Sequence, residues 1–168
     1  TALIAVNAFP QNEYLTMVTR SGVIKRTRLS EYAYRRKGGK IAITLDEGDE
    51  LLFVNKTEGD GDLFVASTSG LAVRFAESEI RLMGRTARGV RAMRLGEGAA
   101  ICGAVSIANV GEERSLVTMT DNGVGKRSSF DEFSAKHRGG KGMKCQALGG
   151  KAGTQVIGIL AVSEEDDL

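Results

Sequence analysis

The chain has 168 residues, enough for one domain with a substantial hydrophobic core. Glycine is frequent (22 residues), proline occurs once, and no apolar run reaches the roughly 18 residues of a membrane-spanning helix. The N-terminus lacks a signal-peptide pattern, so we expect a cytoplasmic protein built of short strands joined by tight turns, with no membrane partner.

The net charge of +2 hides a segregation of charge along the chain. The windows 20–40, 74–94 and 126–144 contain 20 of the 23 Lys and Arg residues but only 5 of the 21 Asp and Glu residues. These windows therefore carry a net charge of +15 and the rest of the chain carries −13. Because protein surfaces normally intersperse the two signs, the pattern predicts one positively charged face and a polyanionic partner.

The first predicted element is a strand over Ala2–Val6, and three copies of one repeat follow it. The copies are marked by a turn glycine and, 17 to 19 residues later, by a loop glycine; the pairs are Gly22 and Gly39, Gly70 and Gly89, and Gly123 and Gly142. A period near 50 residues is typical of blades or arrays. Ala2–Val6 then resembles the last strand of a preceding blade, so we expect a piece of a larger ring.

Each repeat is predicted to hold four short strands. The first strands end at Ser-Gly or Asn-Gly turns, which are hairpin signals because glycine readily adopts positive φ; they are Tyr14–Thr19, Leu63–Ser67 and Ser115–Thr120. A basic return strand, a short polar turn and a basic glycine-rich loop come next. The third strands are predicted at Ile41–Leu45, Val90–Leu95 and Met143–Leu148, and the fourth at Leu51–Asn55, Ile101–Ala108 and Val156–Val162.

These strands predict an all-β, propeller-like fold with blades of four short antiparallel strands in a partial ring. The expected organisation is a single domain, with residues 1–13 belonging to a preceding blade and blades at about 14–61, 62–113 and 114–168.

The basic glycine-rich loops recur at one place in the repeat, at Arg35–Lys40, Arg85–Arg91 and Lys136–Lys144. A DNA duplex needs its phosphates neutralised wherever its backbone meets the protein, which a ring achieves with Lys and Arg once per blade. Glycine also lets the loop backbone approach and donate to phosphates. The pattern therefore predicts duplex DNA as the partner, bound without sequence preference.

Other chemistries find little support in the sequence. His137 is the only histidine and has no Cys or Ser partner at a catalytic spacing, and the acidic groups Asp46–Glu50 and Glu164–Asp167 lack the ligand spacing of a calcium loop. The P-loop pattern is absent. We expect no catalytic residue, metal or cofactor in this chain. A protein-docking propeller is the alternative, but a docking surface favours exposed aromatic residues over a basic stripe.

Several motifs resemble the C-terminal DNA-wrapping domain of the bacterial DNA gyrase A polypeptide. They are Met83–Arg91, Arg138–Gly142, Asn122–Arg127, Leu45–Leu51 and Ser69–Phe75, and the resemblance runs from Tyr14 to about Val162. It implies a β-pinwheel, a propeller-like ring in which neighbouring blades exchange strands and DNA bends around the outside. The related domain of topoisomerase IV shares this fold and is the alternative.

The resemblance also implies partners. They are double-stranded DNA, the remainder of gyrase A, and gyrase B, within an ATP-dependent type IIA topoisomerase whose active sites lie elsewhere and which supercoils DNA negatively; the chain alone is expected to be monomeric. The family's Gln-Arg-Arg-Gly-Gly-Lys/Arg-Gly box belongs to its first blade, whereas the nearest match here, Lys136–Gly142, lies in the last.

The residues expected to contact DNA are the cations of the return strands and loops together with the histidine. They are Lys25, Arg26, Arg28, Arg35, Arg36, Lys37, Lys40, Arg74, Arg85, Arg88, Arg91, Lys126, Arg127, Lys136, His137, Arg138, Lys141 and Lys144.

Overall fold

The computed structural model describes residues 4–34, 37–108, 114–163 and 166, which form eleven strands and four short 3-10 helices. The strands are β1 (Tyr14–Thr19), β2 (Val23–Arg28), β3 (Leu51–Thr57), β4 (Asp62–Ser67), β5 (Leu71–Ala76), β6 (Val90–Arg91), β7 (Ile101–Ile107), β8 (Ser115–Thr120), β9 (Gly125–Ser129), β10 (Met143–Lys144) and β11 (Val156–Val162). The 3-10 helices are Leu29–Tyr32, Glu77–Glu79, Phe130–Glu132 and Gly150–Ala152. Within the described ranges, no helix is long and apolar enough to cross a membrane.

The strands form three antiparallel sheets, with the orders β3-β1-β2-β6, β10-β5-β4-β7 and β11-β8-β9. The predicted hairpins are present, since Gly22, Gly70 and Gly123 all have positive φ (87°, 76° and 76°) at the turns that join the first and second strands of each repeat. The prediction of an all-β fold with four-stranded antiparallel blades is thereby confirmed.

The fourth strand of a sheet comes from the following repeat. β6 of the second repeat pairs with β2 of the first, with Val23 opposite Arg91, and β10 of the third pairs with β5 of the second, with Leu71 opposite Lys144. Consecutive blades are therefore joined by main-chain hydrogen bonds between segments far apart in the sequence. This is the strand exchange that the resemblance implied.

The predicted third strands are corrected by this exchange. Two are much shorter than predicted, at Val90–Arg91 and Met143–Lys144, and Ile41–Leu45 forms no strand. Ile41–Leu45 corresponds in the repeat to β6 and β10, which pair with the blade before their own. The described residues include no blade before the first one, so this segment has no equivalent strand to pair with. Ile41 is consequently 63% exposed.

The predicted strand at Ala2–Val6 is not observed in its described part, residues 4–6, and residues 1–3 lie outside the described ranges. The fourth strands that the structure does describe pair with the first strand of their own repeat, as β3 does with β1. Within the described residues no such partner faces residues 4–6, which accordingly form no ladder.

Two hydrophobic cores hold the blades face to face. One lies between the first and second sheets and includes Val18, Ile24, Leu63 and Phe75; the other lies between the second and third sheets. In the second core Phe64 meets Phe133 edge to face, with the ring centroids 4.9 Å apart. The middle sheet is thus covered on both faces.

The strand exchange predicts unequal effects of two glycine substitutions. Gly142 has φ 90°, and a Cβ there would lie 2.5 Å from the carbonyl oxygen of Ala72 in β5, whereas Gly39 has φ 74° and no atom within 4 Å of that position. Backbone strain alone costs about 1–2 kcal/mol, and the clash adds about 1–3 kcal/mol. We expect Gly142→Ala to lower the free energy of unfolding by about 2–5 kcal/mol and Gly39→Ala by about 1–2 kcal/mol.

Urea denaturation followed by far-ultraviolet circular dichroism measures both effects. Gly39→Ala is the control, since it carries the same change at a positive φ without the contact. Equal losses in the two variants would contradict the observed pairing of β10 with β5.

Candidate nucleic-acid interface

Each basic loop of the second and third repeats docks on the blade before it. The amide of Gly139 donates to the carbonyl of Ala92 (2.6 Å), and the amide of Arg94 donates to the carbonyl of Gly140 (2.7 Å). At the previous junction the amide of Thr44 donates to the carbonyl of Ala87 (3.3 Å). The loops are therefore held by the backbone of a neighbouring repeat, at sites that recur from one repeat to the next.

The outermost strands carry exposed cations at matching positions. β7 packs against both β3 and β11, and β6 and β10 lie at the edges of their sheets that are farthest from these three strands. We therefore call β6 and β10 the outermost strands. Arg91 in β6 and Lys144 in β10 are both exposed, and each stands opposite the residue that follows a turn glycine.

Seven of the predicted contact residues are exposed Lys or Arg side chains on these strands, on β9 or on the loops. They are Lys37, Arg91, Lys126, Arg127, Lys136, Lys141 and Lys144.

Three further predicted residues are exposed but have a partner within the chain. The guanidinium of Arg28 donates to the carbonyl of Gln11 (2.8 Å), and Arg88 forms an exposed ion pair with Asp46. His137 is 99% exposed, with its Nδ1 3.3 Å from a carboxylate oxygen of Glu79. A phosphate would compete with these carboxylates for Arg88 and His137.

Arg85 and Arg138 are half-buried and connect two blades, as equivalent members of consecutive repeats. Arg85 Nη1 donates to the carbonyl of Ile41 and Arg138 Nη1 donates to the carbonyl of Arg91, both at 3.1 Å. Lys40 is also partly buried, and its Nζ donates to the carbonyl of Glu31 (3.2 Å).

Lys25, Arg26 and Arg74 are corrections to the predicted contact set. Lys25 is 0% exposed and its Nζ donates to the carbonyls of Ala42 (2.6 Å) and Arg85, so burial lowers its pKa to about 8. The Arg26 side chain is 11% exposed, stacks on Tyr14 and lies 3.8 Å from the Glu77 carboxylate.

Arg74 joins the second blade to the third. Its Nε donates to Asp62 (2.7 Å) and its Nη1 donates to the carbonyls of Phe130 (2.9 Å) and Phe133 (3.2 Å). Adjacent residues of a strand point to opposite faces, so alternation alone would leave either Lys25 or Arg26 in water. In the fold both are covered, because other segments of the chain pack against the return strand.

Arg35 and Arg36 lie outside the described residues. Three further residues near the loops are identified by the structure and were not predicted from the sequence. Arg94 is exposed beside the third loop, since its amide bonds to Gly140, and it sits in the positively charged window 74–94. Glu31 and Glu79 were also missed; their signal is that each lies nine residues after a turn glycine, in the same short 3-10 helix of its repeat.

Comparison with known proteins places this arrangement in a family. The segments 13–58, 61–107 and 114–168 each match the family described as DNA gyrase C-terminal domain, beta-propeller. The DNA gyrase A polypeptide of Staphylococcus epidermidis is 37% identical over 167 residues, which is 99% of this chain and 18% of that protein. The chain thus spans less than a fifth of the curated relatives that it matches.

Solved structures agree with this match. The C-terminal domain of a DNA topoisomerase IV superposes with a TM-score of 0.87 at 30% identity, over 96% of this chain and 50% of that one. A DNA gyrase A C-terminal domain superposes with a TM-score of 0.83 at 29% identity, over 96% of this chain and 53% of that one. On its sequence, its three repeats and its fold, this chain belongs to the DNA gyrase C-terminal domain family of β-propeller proteins.

Proposed function

We propose that this chain binds duplex DNA through its phosphates, without sequence preference, and bends it across the edges of consecutive blades. One observation carries the proposal: Arg91 and Lys144 occupy matching positions on the outermost strands of consecutive sheets, both exposed. A duplex that followed these edges would meet a cation at each blade. Contacts of this kind neutralise phosphates and carry no sequence information.

The relatives also support a proposal about the enzyme to which this chain belongs. We propose that the chain is part of the C-terminal domain of DNA gyrase A. Its bending of DNA supports negative supercoiling by the complete enzyme in the bacterial cytoplasm. The strand-cleaving and ATP-hydrolysing residues lie in the rest of gyrase A and in gyrase B. Topoisomerase IV is the alternative parent, supported by the 30% identity to its C-terminal domain.

A competition experiment tests sequence-independent binding. The chain is bound to a fluorescent duplex of about 30 bp, and unlabelled duplexes of equal length but unrelated sequence compete for it. Because the cost of bending DNA depends on its sequence, the competitors are matched in base composition and contain no A-tracts. We expect the inhibition constants to agree within about threefold, because phosphate contacts dominate. A preference above about tenfold for one sequence would contradict the proposal, since a single well-formed base contact has that magnitude.

A further inference from the structure

Two glutamates hold the loops of the following repeats in place. Glu31 lies in the 3-10 helix of the first repeat, and its carboxylate accepts the amide of Arg85, at 3.3 Å. Glu79 lies at the same place in the second repeat, and its carboxylate accepts the amide of Arg138, at 3.1 Å. In both contacts the backbone amide of an arginine donates to a glutamate carboxylate, and both residues lie at the same positions in their repeats.

The arginine of each pair completes a clamp. While its amide is bound by the glutamate, its guanidinium donates back to the preceding repeat, from Arg85 to the carbonyl of Ile41 and from Arg138 to the carbonyl of Arg91. Arg138 Nε adds a bond to the carbonyl of Glu79 (3.3 Å). Each clamp therefore binds both the backbone amide and the side chain of the loop arginine, across the junction between two blades.

The third repeat shows what this glutamate does when the chain supplies no later loop. Glu132 lies nine residues after Gly123, as Glu31 and Glu79 follow their turn glycines. Its carboxylate turns back to accept the amide of Ser129 (3.2 Å) in a capping box. A glutamate at this position can therefore either cap its own 3-10 helix or bind the loop of the next repeat.

We propose that the Glu31–Arg85 and Glu79–Arg138 clamps are positioning devices that set the spacing of successive basic loops, and thereby the bend of the bound DNA. The inference rests on the proposed function, because it concerns how the same surface acts. The clamped arginines are largely occupied with protein carbonyls, whereas the exposed cations near them face solvent. A loop without its clamp keeps those cations and its main-chain bonds to the neighbouring repeat, but it loses the contact that fixes its segment beside the glutamate. The distance from its cations to those of the neighbouring blade is then less tightly set.

The prediction separates affinity from bending. Removing both carboxylates makes the chain more positive, so Glu31→Ala with Glu79→Ala should bind duplex DNA as tightly as the wild type or more tightly. Bending costs elastic free energy, which is offset only if the cations of successive loops stay at the spacing that the bent DNA requires. Without the clamps this spacing is less tightly held, so we expect the bend angle to fall by about half. Fluorescence anisotropy measures the affinity, and energy transfer between dyes at the two ends of a duplex of about 30 bp measures the bend angle.

Two matched controls accompany this variant. Glu31→Gln with Glu79→Gln removes the same charge but keeps an oxygen that can accept the amide, so it should retain most of the bend. Glu58→Ala with Glu97→Ala removes two exposed carboxylates at positions outside the clamps and should leave the bend unchanged. Equal loss of bending in the Ala and Gln variants, loss in the Glu58 and Glu97 variant, or no loss at all would each overturn the inference.

Amide hydrogen exchange in the free chain tests the clamps without DNA. The amides of Arg85 and Arg138 should be protected in the wild type, and removing the carboxylates should speed their exchange by about tenfold or more while other strand amides keep their protection. Unprotected amides in the wild type would overturn the inference whether or not DNA binds. Protected amides in a chain that fails to bind DNA would instead contradict the proposed function.

Discussion

Raising the salt concentration from about 50 to 200 mM should weaken the binding of this chain to duplex DNA by about 10³-fold. The exposed lysines and arginines each release a counterion when they neutralise a phosphate. With about six such contacts, the logarithm of the association constant falls with a slope of about −5 against the logarithm of the salt concentration. Anisotropy titrations at four or five salt concentrations measure the slope.

The control for this experiment is a change of anion at constant cation concentration, which leaves counterion release from the DNA unaltered. A slope shallower than about −2 would mean that only one or two phosphates are contacted, which contradicts a surface that spans three blades.

Replacing Lys136, Lys141 and Lys144 with alanine should weaken DNA binding at 50 mM salt by about 10³-fold and make the salt slope shallower by about 3. All three side chains are exposed in or beside the third loop. Each contact contributes roughly tenfold at this salt concentration through counterion release. The fold should survive, because exposed charges contribute at most about 1 kcal/mol each to the free energy of unfolding.

The chain offers a control with the same change of charge. Lys56, Arg114 and Lys151 are the three basic residues outside the positively charged windows, and replacing them with alanine also lowers the net charge by three. We expect this variant to lose less than about tenfold in affinity, since long-range charge is screened beyond about 10 Å. Equal losses in the two triple variants would show that binding follows net charge and not the loops.

The choice of lysines depends on the structure, since the second basic loop offers another set of three cations in the sequence. Arg85, Arg88 and Arg91 alternate with small or apolar residues and have the appearance of one basic stripe. In the fold Arg85 is half-buried in a clamp, Arg88 is paired with Asp46, and only Arg91 extends from an outermost strand. Replacing these three together would mix a structural effect with a loss of phosphate contacts.

The family resemblance indicated the class of fold, but not the environment of each cation. Arg26 and Arg74 occupy the same position in successive repeats and are both largely covered, whereas Arg127, at that position in the third repeat, is exposed. Identical residues at identical repeat positions thus differ in environment, because the following blade lies against the first two, whereas the described part of the chain holds no blade after the third.

The sequence by itself determined the period of the repeat, the hairpins at Gly22, Gly70 and Gly123, the all-β class and the concentration of positive charge in three windows. These features depend on neighbouring residues: a glycine turn, an apolar run and a local cluster of cations act over a few positions along the chain. Only the tertiary structure decided that Arg91 and Lys144 complete the sheets of the preceding repeats, that Lys25 is buried, and that glutamates clamp the loops. Those outcomes depend on contacts between residues some 50 to 75 positions apart, where the free energy of a pairing comes from the opposing blade and not from the pattern of the segment itself.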